Sequence, residues 1–311
     1  MVRENKLLIL VLIFTLSIAF SSCTHQPEER IQPSKPSDGE IEYPIEIVDS
    51  YDRTIKIETE PMRIISIAPS ITETIFALGG GDKLIGRTEF CNYPDGVKDI
   101  ESIGSLQEPS IEKIIDLKPD LIIASTHFKE ETLKKLEELD VKVVVFYGEE
   151  SFDGVYEVIE KVGQALNKNN ESYSLVSNMK DRVSNVVDRV KDLEKKEVYY
   201  VVGFGEYGDY TAGSDTFIGN MIEMAGGKNA AANIKGWKYS LESLVEKDPD
   251  ILICSIYDDT KEKLVRANGY KELTAVKEGE VYEIDKNLLE LQGPRLVDGL
   301  EALAGIVHPI K

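Results

Sequence analysis

Gly203, Gly205 and Gly208 form a G-x-G-x-x-G run directly after the β-rich stretch EVYYVVGF. Such a run can cradle a dinucleotide pyrophosphate when its last glycine lies in the opening turn of a helix, so that the helix dipole faces the phosphates. Here DYTAGSD follows, without apolar periodicity, and a helical pattern begins only near Thr216. Tyr207 and Tyr210 would also crowd a phosphate. The run therefore reads as a strand-to-helix loop facing a cleft, with a nucleotide-dependent enzyme as the alternative. The glycines at 79–81 read as a helix stop, because no Lys-Ser or Lys-Thr follows them. His25, His127 and His308 are scattered, so neither a metal site nor a Ser–His–Asp set can be assembled. Cys91 and Cys254 lie in different halves of the chain without metal-ligand spacing and read as free thiols. No catalytic residue, metal or cofactor is assigned.

Two glutamates stand in a repeated context. Residues 110–125 read SIEKIIDLKPDLIIAS and residues 240–255 read SLESLVEKDPDILICS. Ser, Glu, Pro, Asp, Ile and Ser coincide, and five further positions exchange only among Ile, Leu and Val. Ser110 and Ser240 are placed to cap helices, which puts Glu112 and Glu242 at the second helical position. A capping box would need the glutamate one residue later. What remains is a carboxylate favoured by the helix dipole, worth about 0.3–1 kcal/mol. That accounts for either glutamate alone, and duplication with little drift accounts for the echo.

The elements that must position these residues follow from periodicity. Residues 43–61 carry two alternating β-rich runs around a polar turn, a hairpin signal. RIISIAP is a short apolar strand, and SITETIFALGGG a helix closed by glycine. In SIEKIIDLK, Ile111, Ile114 and Ile115 share one helical face. DLIIA and VKVVVF are buried strands, separated by the amphipathic KEETLKKLEELD with Leu133, Leu136 and Leu139 inward. Strands apolar throughout that alternate with helices indicate a parallel sheet covered on both faces. From residue 152 to about 194 only helical pattern remains. Its second part runs about 25 residues, roughly 38 Å, long enough to reach from one domain to another. Alternation then resumes, and ALGGGDK at 77–83 is echoed by MAGGKNA at 224–230. The pattern gives two α/β lobes and a helical spacer.

The chain has 311 residues, enough for two lobes with their own cores. Residues 1–22 read as a signal peptide: Arg3 and Lys6, then an apolar run at 7–20 that is short for a membrane span. The small residues before Cys23 resemble a lipobox, from which Phe20 and Ser22 depart. Cys23 would then be lipidated, with a plain secreted protein and an uncleaved anchor as alternatives. Residues 23–43 are polar and carry Pro and Ser, as expected of a flexible tether. Two acyl chains suffice for stable anchoring. The formal net charge is −20, and losing the leader makes the chain one unit more acidic. That balance argues against nucleic acid as a partner, since phosphate binding needs clustered Lys and Arg.

Residues 45–310 resemble the helical-backbone substrate-binding proteins of ABC importers for cobalamin, ferric siderophores and haem. The resemblance rests on D-x-x-D-R-T at 49–54, RIISIAPSITETIFALG at 63–79, CNYP at 91–94, the repeated unit, the helical stretch 152–195, and GPRLVDGLEALAGIVHP at 293–309. It implies two Rossmann-like α/β lobes (44–150 and 196–311) joined by a long helix within 151–195, with a ligand cleft between them. It implies a monomeric receptor that performs no chemistry, anchored through Cys23 on the extracytoplasmic side. It further implies that Glu112 and Glu242 dock on arginines of two permease subunits. Ligand loops lie at the carboxyl ends of the strands in α/β sheets. Here those loops offer Ser70, Glu89, Tyr93, Thr126, Phe128, Tyr147, Tyr207, Tyr210, Trp237, Tyr257 and Arg295. Aromatic faces suit a large flat corrin, porphyrin or catecholate complex, and Arg295 suits an anionic oxygen. A surface adhesin or sensor without an importer is the remaining alternative.

Overall fold

The computed structural model describes residues 42–309 except Tyr207. The leader, Cys23, nearly all of the tether, and Tyr207 lie outside the described residues. The chain enters through the expected hairpin, β1 (Ile45–Val48) and β2 (Thr54–Ile57), antiparallel with Ile45 opposite Ile57. Its turn is organised by the buried Asp49. Oδ1 accepts the backbone N–H groups of Tyr51 and Arg53, and Oδ2 accepts Arg53 Nε and the backbone N–H of Val145. The D-x-x-D-R-T motif thus fastens the hairpin to the end of a core strand. Ser50, inside that turn, exchanges hydrogen bonds with the backbone of Tyr147, and Tyr147 Oη donates to the Ser50 carbonyl.

Next come β3 (Ile64–Ile67), α1 (Pro69–Ala77), β4 (Leu84–Arg87), α2 (Ile111–Leu117), β5 (Leu121–Ala124), α3 (Glu130–Glu138) and β6 (Val143–Val145). The strands form a parallel sheet in the order β4-β3-β5-β6. β3, β5 and β6 are buried along their whole length because both faces are covered. Ile64, Leu121, Ile123 and Val144 pack with Ile71 and Ile75 of α1. Ile65, Ile122, Val143 and Val145 pack on the other face with Ile114, Leu133 and Leu136. Two expectations fail at helix edges. Ile115 is 42% exposed, and Leu139, which lies past the last turn of α3 as its cap, is 50% exposed.

Two helices follow, α4 (Phe152–Ala165) and α5 (Asn169–Val190). At 22 residues, α5 is about 33 Å long. The second half contains β7 (Glu197–Tyr200), β8 (Asp209–Tyr210), α6 (Phe217–Met224), β9 (Lys228–Asn229), β10 (Lys238–Tyr239), α7 (Leu241–Lys247) and β11 (Ile251–Ser255). It closes with α8 (Thr260–Leu264), α9 (Thr274–Glu278), β12 (Val281–Ile284), α10 (Asn287–Glu290) and α11 (Leu296–Val307). Its parallel sheet runs β9-β7-β11-β12. Counting each sheet's own strands in chain order, both halves have the order 2-1-3-4.

The repeat has a structural meaning in each half. Ser110 Oγ accepts the backbone N–H of Lys113, and Ser240 Oγ that of Ser243. α2 and α7 both end on a left-handed residue, Lys118 (φ 48°) and Asp248 (φ 43°). The Pro-Asp pairs then aim a carboxylate at the neighbouring strand. Asp120 Oδ2 accepts the N–H groups of Met62 and Arg63, and Asp250 Oδ2 that of Glu197. Ser, Pro and Asp therefore recur because they tie the third strand's helix to the first strand; the glutamates take no part.

One apolar cluster continues from the inner face of the first sheet through α4, α5 and α11 to Val198, Tyr200, Ile251 and Ile253 of the second. The described residues accordingly belong to one compact unit. α5 is also clamped to α11. Arg182 Nε donates to Glu301 (2.9 Å), and Nη2 donates to Asp298 and Glu301 (2.6 Å each). The Arg182 hydrogen bond holds the Glu301 carboxyl below its ordinary 4.5, against the opposing effect of burial. A lowered folded-state value means stability present above the unfolded value and lost as pH falls through the folded one. These groups are partly exposed, so the contribution is screened and limited to about 1 kcal/mol. Replacing Arg182 by Met should lower the thermal midpoint slightly at pH 7. It should also flatten the decline of that midpoint below about pH 4.5, followed by calorimetry; an unchanged acid limb would show that the clamp carries no net stability.

Candidate functional site

A 2-1-3-4 order leaves a crevice beyond the carboxyl ends of the first and third strands, where neighbouring connections leave in opposite directions. In the first half those ends are followed by Ala68–Pro69–Ser70 and Ser125–Thr126–His127. All six line a hollow of about 370 Å³, together with Tyr147, Glu150 and Gln292. A second hollow, about 290 Å³, is lined by Val202 after β7, Phe217, Trp237 and Leu289. Glu150, Glu290 and Gln292 line both, so the two are one cleft between the sheets.

Local chemistry places these walls. Tyr147 is oriented by the Ser50 turn described above. Gly148 and Gly154 let two backbone segments pass closely; a Cβ on Gly148 would stand 2.5 Å from the Gly154 carbonyl oxygen. That approach turns the chain after β6 so that Glu150 enters the cleft. The link between α10 and α11 crosses to the first half, where Gly293 lies against Ser70. His127, a left-handed residue at φ 67°, bonds the Thr126 hydroxyl through Nδ1 at 3.2 Å.

Ser70, Thr126, Tyr147 and Trp237 thus line the cleft as the sequence predicted, and the Trp237 ring is 42% exposed. Phe128 does not. It is 3% exposed and packs in the outer core of the first sheet with Ile114 and Leu133, because the loop folds its ring back under α3. Arg295 is committed elsewhere. Its Nε and Nη2 donate to both oxygens of Glu73 on α1 (2.9 and 2.5 Å), and its guanidinium lies 3.9 Å from the Tyr93 ring centroid. The Glu73 bond raises the Arg295 pKa, outweighing burial. Neither Tyr93 nor Arg295 lines the two hollows. Tyr257 lies beyond them as well: its hydroxyl donates to Asp285 and accepts from Asn287, and burial followed by the Asp285 bond raises its pKa. Glu89 is exposed and holds the backbone at Gly104 through its N–H. Tyr210 pairs with Lys238 and bridges back to Gly203, so the glycine run closes an antiparallel turn and opens no helix.

Sequence reasoning missed Glu150, Glu290, Gln292 and His127. Only His127 carried a signal, as the single histidine after a core strand. A larger hollow, about 550 Å³, lies among Glu194, Lys195, Asp248, Asp250, Glu278 and Glu280. It sits at the amino ends of β7, β11 and β12, the side where α/β sheets do not bind ligands, and the inter-sheet cleft is the better candidate despite its smaller size. Among the described residues no group of three or more His, Cys, Asp or Glu is arranged to hold a metal. Cys91 and Cys254 are buried free thiols, and burial pushes Cys254 up to about 11.

Glu112 and Glu242 lie away from the cleft, exposed on α2 and α7, and neither has a hydrogen-bond or ion-pair partner among the described residues. Three residues on, and so on the same helical face, stand Ile115 and Val245, each 42% exposed. Each half therefore presents an unpaired carboxylate beside an exposed branched apolar side chain.

Residues 64–288 match the family model described as periplasmic binding protein. The chain is 35% identical over 275 residues to the uncharacterized ABC transporter substrate-binding lipoprotein YvrC of Bacillus subtilis, covering 86% of each chain. It is 28% identical to a cobalamin-binding protein of Halobacterium salinarum, over 98% of this chain and 85% of that one. Among solved structures, a possible iron-binding (periplasmic solute-binding) protein of Staphylococcus epidermidis superposes with a TM-score of 0.71 at 32% identity, over 80% of this chain and all of that one. With its two parallel sheets and the cleft between them, the chain belongs to the periplasmic binding protein family, whose members bind substrates for transporters and are not enzymes.

Proposed function

We propose that this protein is the lipid-anchored, extracytoplasmic receptor of an ABC importer, and that it captures a cobalamin or a ferric-siderophore or haem-type chelate in the inter-sheet cleft. The observation that carries the reading is the position of the cleft. It lies at the carboxyl ends of β3 and β5 in the first sheet and of β7 in the second, with the Trp237 ring exposed in one wall and Tyr147 in the other. The cobalamin-binding relative supports the ligand class. The relative described as a lipoprotein supports anchoring at Cys23, as does the short apolar run before it. No helix among the described residues is long and apolar enough to cross a membrane. The division into lobes at 44–150 and 196–311 with a helical segment between fits the strand order of each sheet. Ser70, Thr126, Tyr147 and Trp237 are the proposed contacts within the hollows, Glu89, Tyr93, Tyr210 and Tyr257 are proposed contacts beyond them, and Tyr207, outside the described residues, is proposed from its sequence position. Glu112 and Glu242 are the proposed permease contacts.

The single tryptophan gives the test. Cyanocobalamin, a ferric hydroxamate and haem are titrated while Trp237 emission and ligand absorbance are followed. The expected result is saturable quenching by one of them. Failure of all three to bind, by calorimetry as well, would overturn the ligand assignment.

A further inference from the structure

The cleft wall is acidic where its two halves meet. Among the residues lining the hollows the carboxylates are Glu150 and Glu290, and no Lys or Arg lines either hollow. Both glutamates border both hollows, so a ligand spanning the cleft lies against them. Neither has a side-chain hydrogen-bond or ion-pair partner among the described residues. The guanidinium that sequence reasoning assigned to an anionic ligand, Arg295, is neutralised by both oxygens of Glu73 and covered by Tyr93. The groups acting on Glu290 are Lys286, one turn earlier, and Asp285. Burial raises the Glu290 pKa more than Lys286 lowers it, and Asp285 raises it further, as for a carboxylate short of cationic neighbours. The other ionisable side chains in the wall are His127, bonded to Thr126, and Tyr147.

We propose that the ligand of this cleft carries no net negative charge: a neutral or cationic chelate, such as a cobalamin or a ferric trihydroxamate, in preference to a tricatecholate trianion or a dicarboxylate porphyrin. The proposal rests on the receptor reading and narrows it. Both side chains are exposed to the open cleft, and a bound ligand that displaces water from between itself and the wall brings its charge against theirs at reduced screening, so an anionic ligand is repelled. Such repulsive elements separate ligands of similar size and flatness. The chain's charge of −20 adds a longer-range repulsion that salt screens. Glu150 and Glu290 are then specificity-determining residues.

The test is calorimetric titration of the protein at pH 7.5 with four probes: cyanocobalamin, a neutral ferric trihydroxamate, a ferric tricatecholate and haemin. A neutral probe should bind at least 100-fold more tightly than the tricatecholate. In the Glu150→Gln, Glu290→Gln double variant that ratio should narrow at least tenfold, with the thermal midpoint reporting an intact fold. In the unmodified protein, raising NaCl from about 50 to 500 mM should narrow it too. Tricatecholate or haemin binding as tightly as the neutral probes would overturn the charge rule while leaving the receptor reading in place. So would a ratio unmoved by both the variant and salt. Binding of none of the four would overturn both.

Discussion

Replacing Arg295 by Met is expected to cost about 3–5 kcal/mol of stability, because it leaves the Glu73 carboxylate buried without its partner. Glu73 is 4% exposed and Arg295 17%, and the two hydrogen bonds between them are bidentate. For a chain of this size the loss corresponds to a fall in thermal midpoint on the order of 10 °C. The double replacement Glu73→Gln, Arg295→Met should regain much of it, since no charge is then stranded. Thermal unfolding of the four proteins of this cycle gives the coupling between the residues directly. A loss of less than about 1 kcal/mol in the single variant would show that the pair is screened like a surface ion pair. The pair also matters for the cleft. It pins the crossing segment, which brings Gln292 into both hollows, against α1 of the opposite half. Loosening it should weaken ligand binding beyond any loss of direct contact.

The second large effect is expected at the membrane. Reversing both Glu112 and Glu242 to Arg should reduce ligand uptake on the order of 100-fold or more, while the dissociation constant of the free receptor stays within about twofold. Charge pairs at interfaces steer encounter and fix register, and removing or reversing them costs several kcal/mol. Each single reversal should fall between, because under the proposed docking one carboxylate would still engage. The fold should be nearly indifferent: both side chains are exposed and unpaired, and the helix dipole favours each by only about 0.3–1 kcal/mol. Replacing Ile115 and Val245 by Ser should reduce uptake further without touching affinity, as these side chains share the faces of the two glutamates. Uptake is read with labelled ligand in cells or permease vesicles, and affinity by calorimetry. If affinity fell in step with uptake, the glutamates would belong to the ligand site or to the fold.

Much of the architecture was legible because it is written in local periodicity. Fully apolar strands, the Ser caps of α2 and α7, and the uninterrupted helical stretch after residue 152 each report their element within a few residues. The repeat was legible as an echo, but its cause was not. Only the structure shows Asp120 and Asp250 tying each helix to the neighbouring strand. Helix edges misled the pattern reading, since Ile115 and Leu139 satisfy the apolar spacing yet lie where no neighbour covers them. The cleft was legible as a set of loops, and Ser70, Thr126, Tyr147 and Trp237 were found that way. Phe128 failed because loop position does not say which way a ring turns. Arg295 failed because its partner lies 222 residues away. Glu150, Glu290 and Gln292 were missed because polar residues on connecting segments carry no periodic signal, and they reach the cleft only through the Gly148 turn and the crossing segment.

The central claim is that a metal-chelate ligand is held between the two sheets. Anomalous scattering at the metal's absorption edge, from crystals of the protein grown with each of cyanocobalamin, a ferric trihydroxamate and haemin, tests it most directly. One metal peak per chain is expected inside the cleft with at least one of the three, between the Ser70 and Tyr147 wall and the Trp237 wall, beside Glu150, Glu290 and Gln292. A peak in the hollow among Glu194, Asp250 and Glu280, or crystals that take up none of the three chelates with the cleft open to solvent, would contradict it.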